Sequence, residues 1–338
     1  MSKVAVVILN FNGLAHLKKH LHTVLKHSAP FDVILADNFS EDGSLAYAQS
    51  IEGMQTIVNP KNTGFAGGYN DALEQLNGKY EFYFLLNSDI EVSAGYIEPL
   101  LKAMEDTSIA ACQPKVRSLL QTTDFEHAGA CGGYIDKNYY PFCRGRIFDH
   151  IEEDSGQYES ESFVTWTSGA AMLIRSKCFH EANGFDSSFF AHMEEIDLCI
   201  RLGHAGYQFK VVPSSIVYHL GGGTLPYLSA QKVYLNFRNN LFLITKNHKG
   251  WLIPMLFKRM ALDGVAAYKF LFEGKISFFW KVFLAHMALY SNFNNLYKKR
   301  KALLKDAEPI VQYHGNILVN YYLEKRKTFS KLNKRQFK

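Results

Sequence analysis

The chain has 338 residues, 47% of them hydrophobic and 14% aromatic, which supports a sizeable core and excludes a disordered chain. Its net charge of +5 is modest and gathers in 298–301 and 325–338 with no nucleic-acid recognition motif beside it, so a nucleic-acid partner is not expected. Five irregularly spaced cysteines without a CxxC pair fit a reduced compartment and signal no zinc site, and no apolar run reaches the roughly 18–20 residues of a membrane span.

Residues 3–12, KVAVVILNFN, read as a first strand, and 14–27 as an amphipathic helix. FDVILADN (31–38) is a second strand, followed by a short helix from Ser44. MQTIVNP (54–60) is a third strand, AGGYNDALEQLNG (66–78) a helix and YEFYFLLNSD (80–89) a fourth strand. Apolar strands alternating with helices predict a parallel sheet covered by helices, with right-handed crossovers. Residues 95–160 are less regular, and 127–146 read as a loop or irregular hairpin over the sheet. FVTWTSGAAMLIRS (163–176) resumes strand character. HMEEIDLCIRLGHAG (192–206) is a helix with Ile196, Cys199, Ile200 and Gly203 on one face. YQFKVVPSSIVYHLGGG (207–223) reads as a strand pair. From about Tyr227 the composition becomes aromatic, basic and helical, with a boundary near 225–245.

In an open parallel sheet, ligands bind beyond the carboxyl ends of the strands. Each such end carries polar side chains here: Asn10 and Asn12, Asp37 and Asn38, Asn59 and Asn62, Asn87 and Asp89. One Asn or Asp after a strand is ordinary turn or cap chemistry; four in succession on one edge outline a site. Gly64, Gly67 and Gly68 allow close backbone approach to a phosphate at a helix start, or simply close helix packing. The spacing is neither G-x-G-x-x-G nor a Walker loop. Asp89 is a hard oxygen ligand suited to Mg²⁺ or Mn²⁺, or alternatively a cap for the helix after Val92. Glu194, Glu195 and Asp197 open a later helix, where acids favour the helix dipole. The preceding GFDSSFF (184–190) reads as an aromatic pocket wall, and a carboxylate desolvated beside it suits a general base. His219, ahead of three glycines, is a structural histidine or a metal ligand.

In this order, VVILNFNG, ADNFSEDGS, NTGFAGGYN, LLNSDIEV, SGAAMLIRS, HMEEIDLC and VYHLGGGT resemble the inverting family 2 glycosyltransferases, rhamnosyltransferase-like members above all. The match covers roughly 3–240. It implies an α/β GT-A fold over 1–240, with a nucleotide-binding half at about 1–95 and an acceptor half at about 96–240. Residues 241–338 would form a helical C-terminal region. The resemblance puts Asn10, Asp37, Ser40, Asp42, Asn62, Gly67, Asn70 and Asn87 at the donor, and Trp166, Ser168 and Gly169 at the acceptor. Asp89 and His219 would hold a divalent metal, Mg²⁺ or Mn²⁺, with the amide Asn87 where many relatives have an acid. Glu195 would be the catalytic base, with Glu194 the second choice. The implied partners are a UDP- or dTDP-type sugar donor and a glycan or lipid-linked acceptor, handled by a cytoplasmic protein peripheral to the inner face of a membrane. Two rival readings of the same sheet are a nucleotidyltransferase, which would release diphosphate, and a non-catalytic nucleotide or glycan binder, which would tolerate loss of Glu195.

Overall fold

A computed structural model describes residues 3–127, 129–221 and 229–338. Four parallel strands build the first half: β1 (Val4–Asn10), β2 (Asp32–Asp37), β3 (Gln55–Val58) and β4 (Phe82–Asn87), in the spatial order β3-β2-β1-β4. Helices α1 (Leu14–Ser28), α2 (Ser44–Gln49) and α3 (Gly64–Glu74) form the crossovers. The central strands are apolar because both faces are covered. Phe82 to Leu86 are all buried, alternating between two core layers. α1 contributes Leu17, Leu21 and Val24 to one layer, the i, i+4, i+7 stripe its sequence shows.

The second half extends the sheet with mixed polarity. β5 (Ile90–Val92) pairs antiparallel with the far end of β13 (Gln208–His219), and α4 (Glu98–Ala103) leads to β6 (Ile109–Ser118), which runs parallel to β13. A small sheet follows in 127–151: β7 (Gly133–Ile135), β8 (Pro141–Cys143), β9 (Arg146–Ile147) and β10 (His150–Ile151). β11 (Ser162–Val164) edges the main sheet, and β12 (Ala171–Arg175) runs antiparallel between β4 and β6. α5 (Ser176–Glu181) and α6 (Glu194–His204) cover it. The main sheet is therefore mixed, its parallel half being the first half of the chain.

Two expectations are corrected. Residues 208–219 form one strand, not a pair. The register against β6 shifts between Val212 and Ile216, where Pro213 has no N–H for the ladder and Ser215 Oγ turns to the Tyr96 carbonyl at 2.5 Å. The division at residue 240 falls inside α7 (Ala230–Asn247), which packs with α8 (Leu252–Phe272) and α9 (Ile276–Leu303). Beyond α9 the chain returns to the small sheet, where Tyr313 bridges Asp136 and Phe337. There Phe329 and Phe337 lie 5.2 and 5.0 Å from the Tyr134 ring. The basic tail is thus tied down by its aromatics. None of the five cysteines forms a disulfide. Gly222 and Gly223 of the glycine cluster lie outside the described residues.

Candidate active site

The ends of β1 and β2 are knitted together by side chains. Asn10 Nδ2 donates to Asp37 Oδ1 at 3.1 Å, Ser40 Oγ at 3.1 Å and Ser44 Oγ at 2.9 Å. Asp37 Oδ2 accepts from the Ser40 N–H at 2.9 Å. Asn10 and Asp37 are buried, and with Ser40 and Ser44 they form a clamp that ties the two strand ends together. Asp42 receives the Leu14 N–H at 2.8 Å and Ser44 N–H at 3.0 Å, fixing the start of α1 to the second loop. Burial works to raise its carboxyl, but the Ser44 hydroxyl first, and then these backbone hydrogen bonds, hold it below the ordinary value. Phe11, Asn12 and Phe39 face solvent above the clamp, Asn12 and Phe39 with positive φ. Two exposed rings beside strand ends are features the strand-end pattern did not single out.

The glycines of α3 serve packing. A Cβ on Gly64 would lie 2.5 Å from the Phe190 carbonyl, and one on Gly68 would lie 2.9 Å from the Asn38 amide. Gly67 is buried against Thr63, in line with the packing alternative. Asn70 is engaged by the loop ahead of α6. Its amide donates to the Phe185 carbonyl at 2.8 Å and accepts the Phe185 N–H at 2.9 Å, which ties the donor half to the loop ahead of α6. Asn62 stays exposed, its Oδ1 accepting from Asn38 at 3.0 Å and from the Gly64 N–H at 2.9 Å.

Asp89 is not a helix cap. It is buried at the end of β4, its Oδ1 3.2 Å from His219 Nε2. The other ring nitrogen, Nδ1, lies 3.1 Å from Glu126 Oε2, and the Asn87 amide lies 3.5 Å from Nε2. Burial alone would lower the His219 pKa, but the two carboxylates override it and raise it to about 10. The same contact, opposed by burial, holds Asp89 below its ordinary value. A carboxylate on the far nitrogen is how proteins orient a metal-binding histidine. Without an ion the ring is held protonated between the two carboxylates; Asp89 and His219 become an oxygen–nitrogen pair for a divalent ion when that ion takes the place of the proton on Nε2. Among the described residues no group of three or more His, Cys, Asp or Glu forms a complete cage. Glu126 lies in the irregular stretch 95–160, where no local spacing marked it.

Glu194 and Glu195 begin α6 after a strained approach: Phe190, His192 and Met193 all have positive φ, at 66°, 70° and 70°. Such backbone persists only when neighbours overdetermine it. Asn239 of α7 does so, its amide donating to the carbonyls of Phe189, Ala191 and His192 at 3.0, 2.8 and 2.6 Å. Arg238 adds the carbonyls of Ser188 and Phe189. Burial pushes the Glu195 carboxyl up to about 7. Glu194 is deeper; burial first, then the Glu195 charge, raises it well above the usual range. The Oε2 atoms of both lack a hydrogen-bond partner. Gly169 is adjacent, since a Cβ there would sit 3.6 Å from that of Glu195. Ser168 is buried, its N–H bonded to Gln113 Oε1 at 2.8 Å. Trp166 is a correction: its indole N–H donates to the Tyr134 carbonyl at 3.0 Å and its ring fills the space above Gly133. It belongs to the core, not to an acceptor surface.

These groups line one edge. Asn10 pairs with Asp37, Leu9 with Asn87, and the Asn87 N–H donates to the Ala170 carbonyl at 3.0 Å, one residue from Gly169 and hence beside Glu195. The clamp, the Asp89–His219 pair and the raised carboxylates therefore follow one another along neighbouring strand ends.

Known proteins resemble this chain in sequence and in fold. The sequence profile of "Glycosyl transferase family 2" matches residues 5–163. The chain is 42% identical over 226 residues to the rhamnosyltransferase WbbL of Escherichia coli (strain K12), spanning 64% of this chain and 83% of that one. It is 26% identical over 261 residues to an N-acetylglucosaminyl-diphospho-decaprenol L-rhamnosyltransferase of Mycobacterium tuberculosis, spanning 73% and 85%. Two solved structures share the fold. GalNAc-T7 with UDP, GalNAc and Mn²⁺ aligns at a TM-score of 0.57 and 15% identity, over 88% of this chain and 58% of that one. The mannosyltransferase PcManGT of Pyrobaculum calidifontis, with GDP-Man and Mn²⁺, aligns at 0.52 and 13% identity, over 96% and 88%.

Proposed function

The chain belongs to glycosyl transferase family 2, and from that membership we propose that it transfers one sugar, with inversion, from a nucleoside diphosphate sugar to a hydroxyl of a lipid-linked glycan at the inner face of a membrane. The observation that carries this is the pairing, on one sheet edge, of a carboxyl raised to about 7 at Glu195 with the oxygen–nitrogen pair Asp89 and His219. The names of the rhamnosyltransferase relatives support a deoxyhexose or hexose on a UDP- or dTDP-type carrier.

Glu195 takes the proton of the acceptor hydroxyl as its oxygen bonds to the anomeric carbon. The bond from that carbon to the nucleoside diphosphate breaks on the opposite face, its electron pair leaving with the nucleoside diphosphate, so one displacement inverts the configuration. Asp89 and His219 would hold Mg²⁺ or Mn²⁺, and Glu126 would orient the His219 ring. When bound, such an ion neutralises charge on the departing diphosphate. Asn62 and the exposed rings of Phe11 and Phe39 flank the donor. The amide of Asn87, in place of a second acid, leaves the metal shell less negative.

A thermal-shift screen of nucleotide sugars with and without Mn²⁺ tests the reading. A true donor at 100 times its dissociation constant adds about 2.7 kcal/mol of stability, and Mn²⁺ enlarges the shift. If no nucleotide sugar shifts the transition, the proposal fails. Product analysis separates the rivals: a nucleotidyltransferase releases diphosphate, and a binder releases nothing.

The pH dependence has a definite sign. A base works deprotonated, so kcat/KM rises with pH through the value of about 7 set by burial at Glu195, and on the acid side falls about tenfold per pH unit. Burial first, then the Glu195 charge, raises Glu194, so ionisation of one carboxyl of this buried pair opposes ionisation of the other. A profile flat from pH 5 to 8 rules out Glu195 as the base.

A further inference from the structure

α8 and α9 each have two faces. The inner ones are buried: Leu252, Met255, Leu256 and Ala267 on α8, and Val282, Ala285, Leu289 and Leu296 on α9. A buried ion pair helps lock the hairpin, Arg259 Nε to Asp263 Oδ1 at 2.7 Å, with His286 Nε2 of α9 3.6 Å from Asp263 Oδ2. The outer faces should then be polar, as on an ordinary surface helix. They are not. Ile253, Phe257, Val265, Tyr268 and Phe272 recur at three- and four-residue steps or their multiples along the exposed side of α8, Phe257 at 77% and Phe272 at 88% exposure. On α9, Ile276, Trp280, Phe283 and Met287 continue the stripe, and Trp251 before α8 is 86% exposed. A continuous apolar face of this kind marks a contact surface.

Charge selects the occupant. Residues 251–305 contain ten Lys and Arg against two acids, Asp263 and Glu273, of which Asp263 is buried. A second copy of this face would meet its own positive charge. An anionic lipid surface meets both features at once, taking the rings between its acyl chains and the lysines at phosphate level. No described helix is long and apolar enough to cross a membrane. Its 21 residues make α8 about 30 Å long, suited to lying in the interface plane. The basic C-terminal tail is anchored elsewhere, with Phe329 and Phe337 packed on the small sheet.

We propose that the outer face of the α8–α9 hairpin docks on an anionic bilayer, with Phe257, Phe272 and Trp280 inserted to head-group depth. This rests on the lipid-linked acceptor reading and supplies the surface that reading needs. The hairpin is also tied to the active site: Lys299 of α9 binds Asp186, in the loop before α6, at 2.8 Å. Docking would thus set the height of Glu195 above the membrane.

The test uses the full chain, sedimented with vesicles of phosphatidylcholine alone and vesicles also containing phosphatidylglycerol. The wild type should pellet with the anionic vesicles in low salt and be partly released by salt. The triple variant Phe257→Ser, Phe272→Ser, Trp280→Ser should bind at least about tenfold more weakly with an unchanged melting transition and unchanged donor-induced thermal shift. The proposal is overturned if the wild type ignores anionic vesicles, if the variant binds them equally, or if light scattering finds a dimer that the variant splits. The donor-induced shift needs no vesicle: its presence without vesicle binding sinks the docking face alone, whereas its absence sinks the transferase reading.

Discussion

Glu195→Gln is expected to lower the rate of sugar transfer by about 10²–10⁴-fold, the usual contribution of a positioned base, while donor affinity stays near that of the wild type. Glutamine keeps the length and most of the volume, so the packing near Gly169 is preserved, but it cannot take a proton. Donor affinity should hold because the strand-end clamp of Asn10, Asp37 and Ser40 is built on β1 and β2, away from α6. Glu194→Gln is the internal comparison. Glu194 is the more deeply buried, and burial first, then the Glu195 charge, raises its carboxyl well above the usual range; this favours its neutral form, which an amide resembles. Its substitution should cost far less in kcat. Single-turnover rates with saturating donor, beside donor titrations of both variants, decide the matter. If Glu194→Gln is the slower enzyme, the roles of the two acids are reversed; if both transfer at wild-type rate, the base lies elsewhere.

The order of elements and the edge that carries the site were legible because they rest on local rules. Apolar strands broken by Asn and Asp give a parallel sheet and its ligand edge directly, and Glu195 stood out as an acid behind an aromatic loop. What escaped was set by contacts distant in sequence. Asn10 looks like a ligand-facing residue, yet its acceptors lie 27 to 34 residues away and bury it. Trp166 reads as an aromatic platform, but Gly133 leaves a space that its ring fills. Glu126 acquires meaning only when β13 brings His219 to it, and Asn239 only when α7 crosses the loop before α6. A buried partner that acts across dozens of residues leaves no spacing to read.

Long-range contacts of this kind also make Lys246 the residue whose loss should most damage the fold. Its ammonium is buried, 2.6 Å from Asp186 Oδ2 and 2.8 Å from the Asp197 carboxylate, and it sits 5.1 Å from the centre of the Phe189 ring. Asp197 is also held by Arg201 Nε at 2.8 Å and Asn247 Nδ2 at 2.9 Å, and Asp186 by Lys299. Lys246→Met keeps the stem and removes the charge that joins the two acids. Breaking a buried pair costs about 3–5 kcal/mol because the remaining charge stays desolvated. Here the cost should fall near the lower end of that range, since each acid keeps one cation. Burial opposes, but the lysine contacts hold both aspartates below their ordinary value of 3.8. A depressed carboxylate stabilises the fold above that value and loses its contribution as pH falls below it. The gap between wild type and variant should therefore be full at neutral pH and narrow in acid, a trend that urea denaturation at two pH values would reveal. Adding Asp186→Asn to the variant removes one stranded charge and should return part of the lost stability, a non-additivity that a double-mutant cycle measures. Activity should fall as well, with kcat affected more than donor KM, because Lys246 spans the loop and helix that aim Glu195. If Lys246→Met unfolds like the wild type at neutral pH, the buried charges do not hold α6 in place, and the strained approach to Glu195 is secured by Asn239 and Arg238.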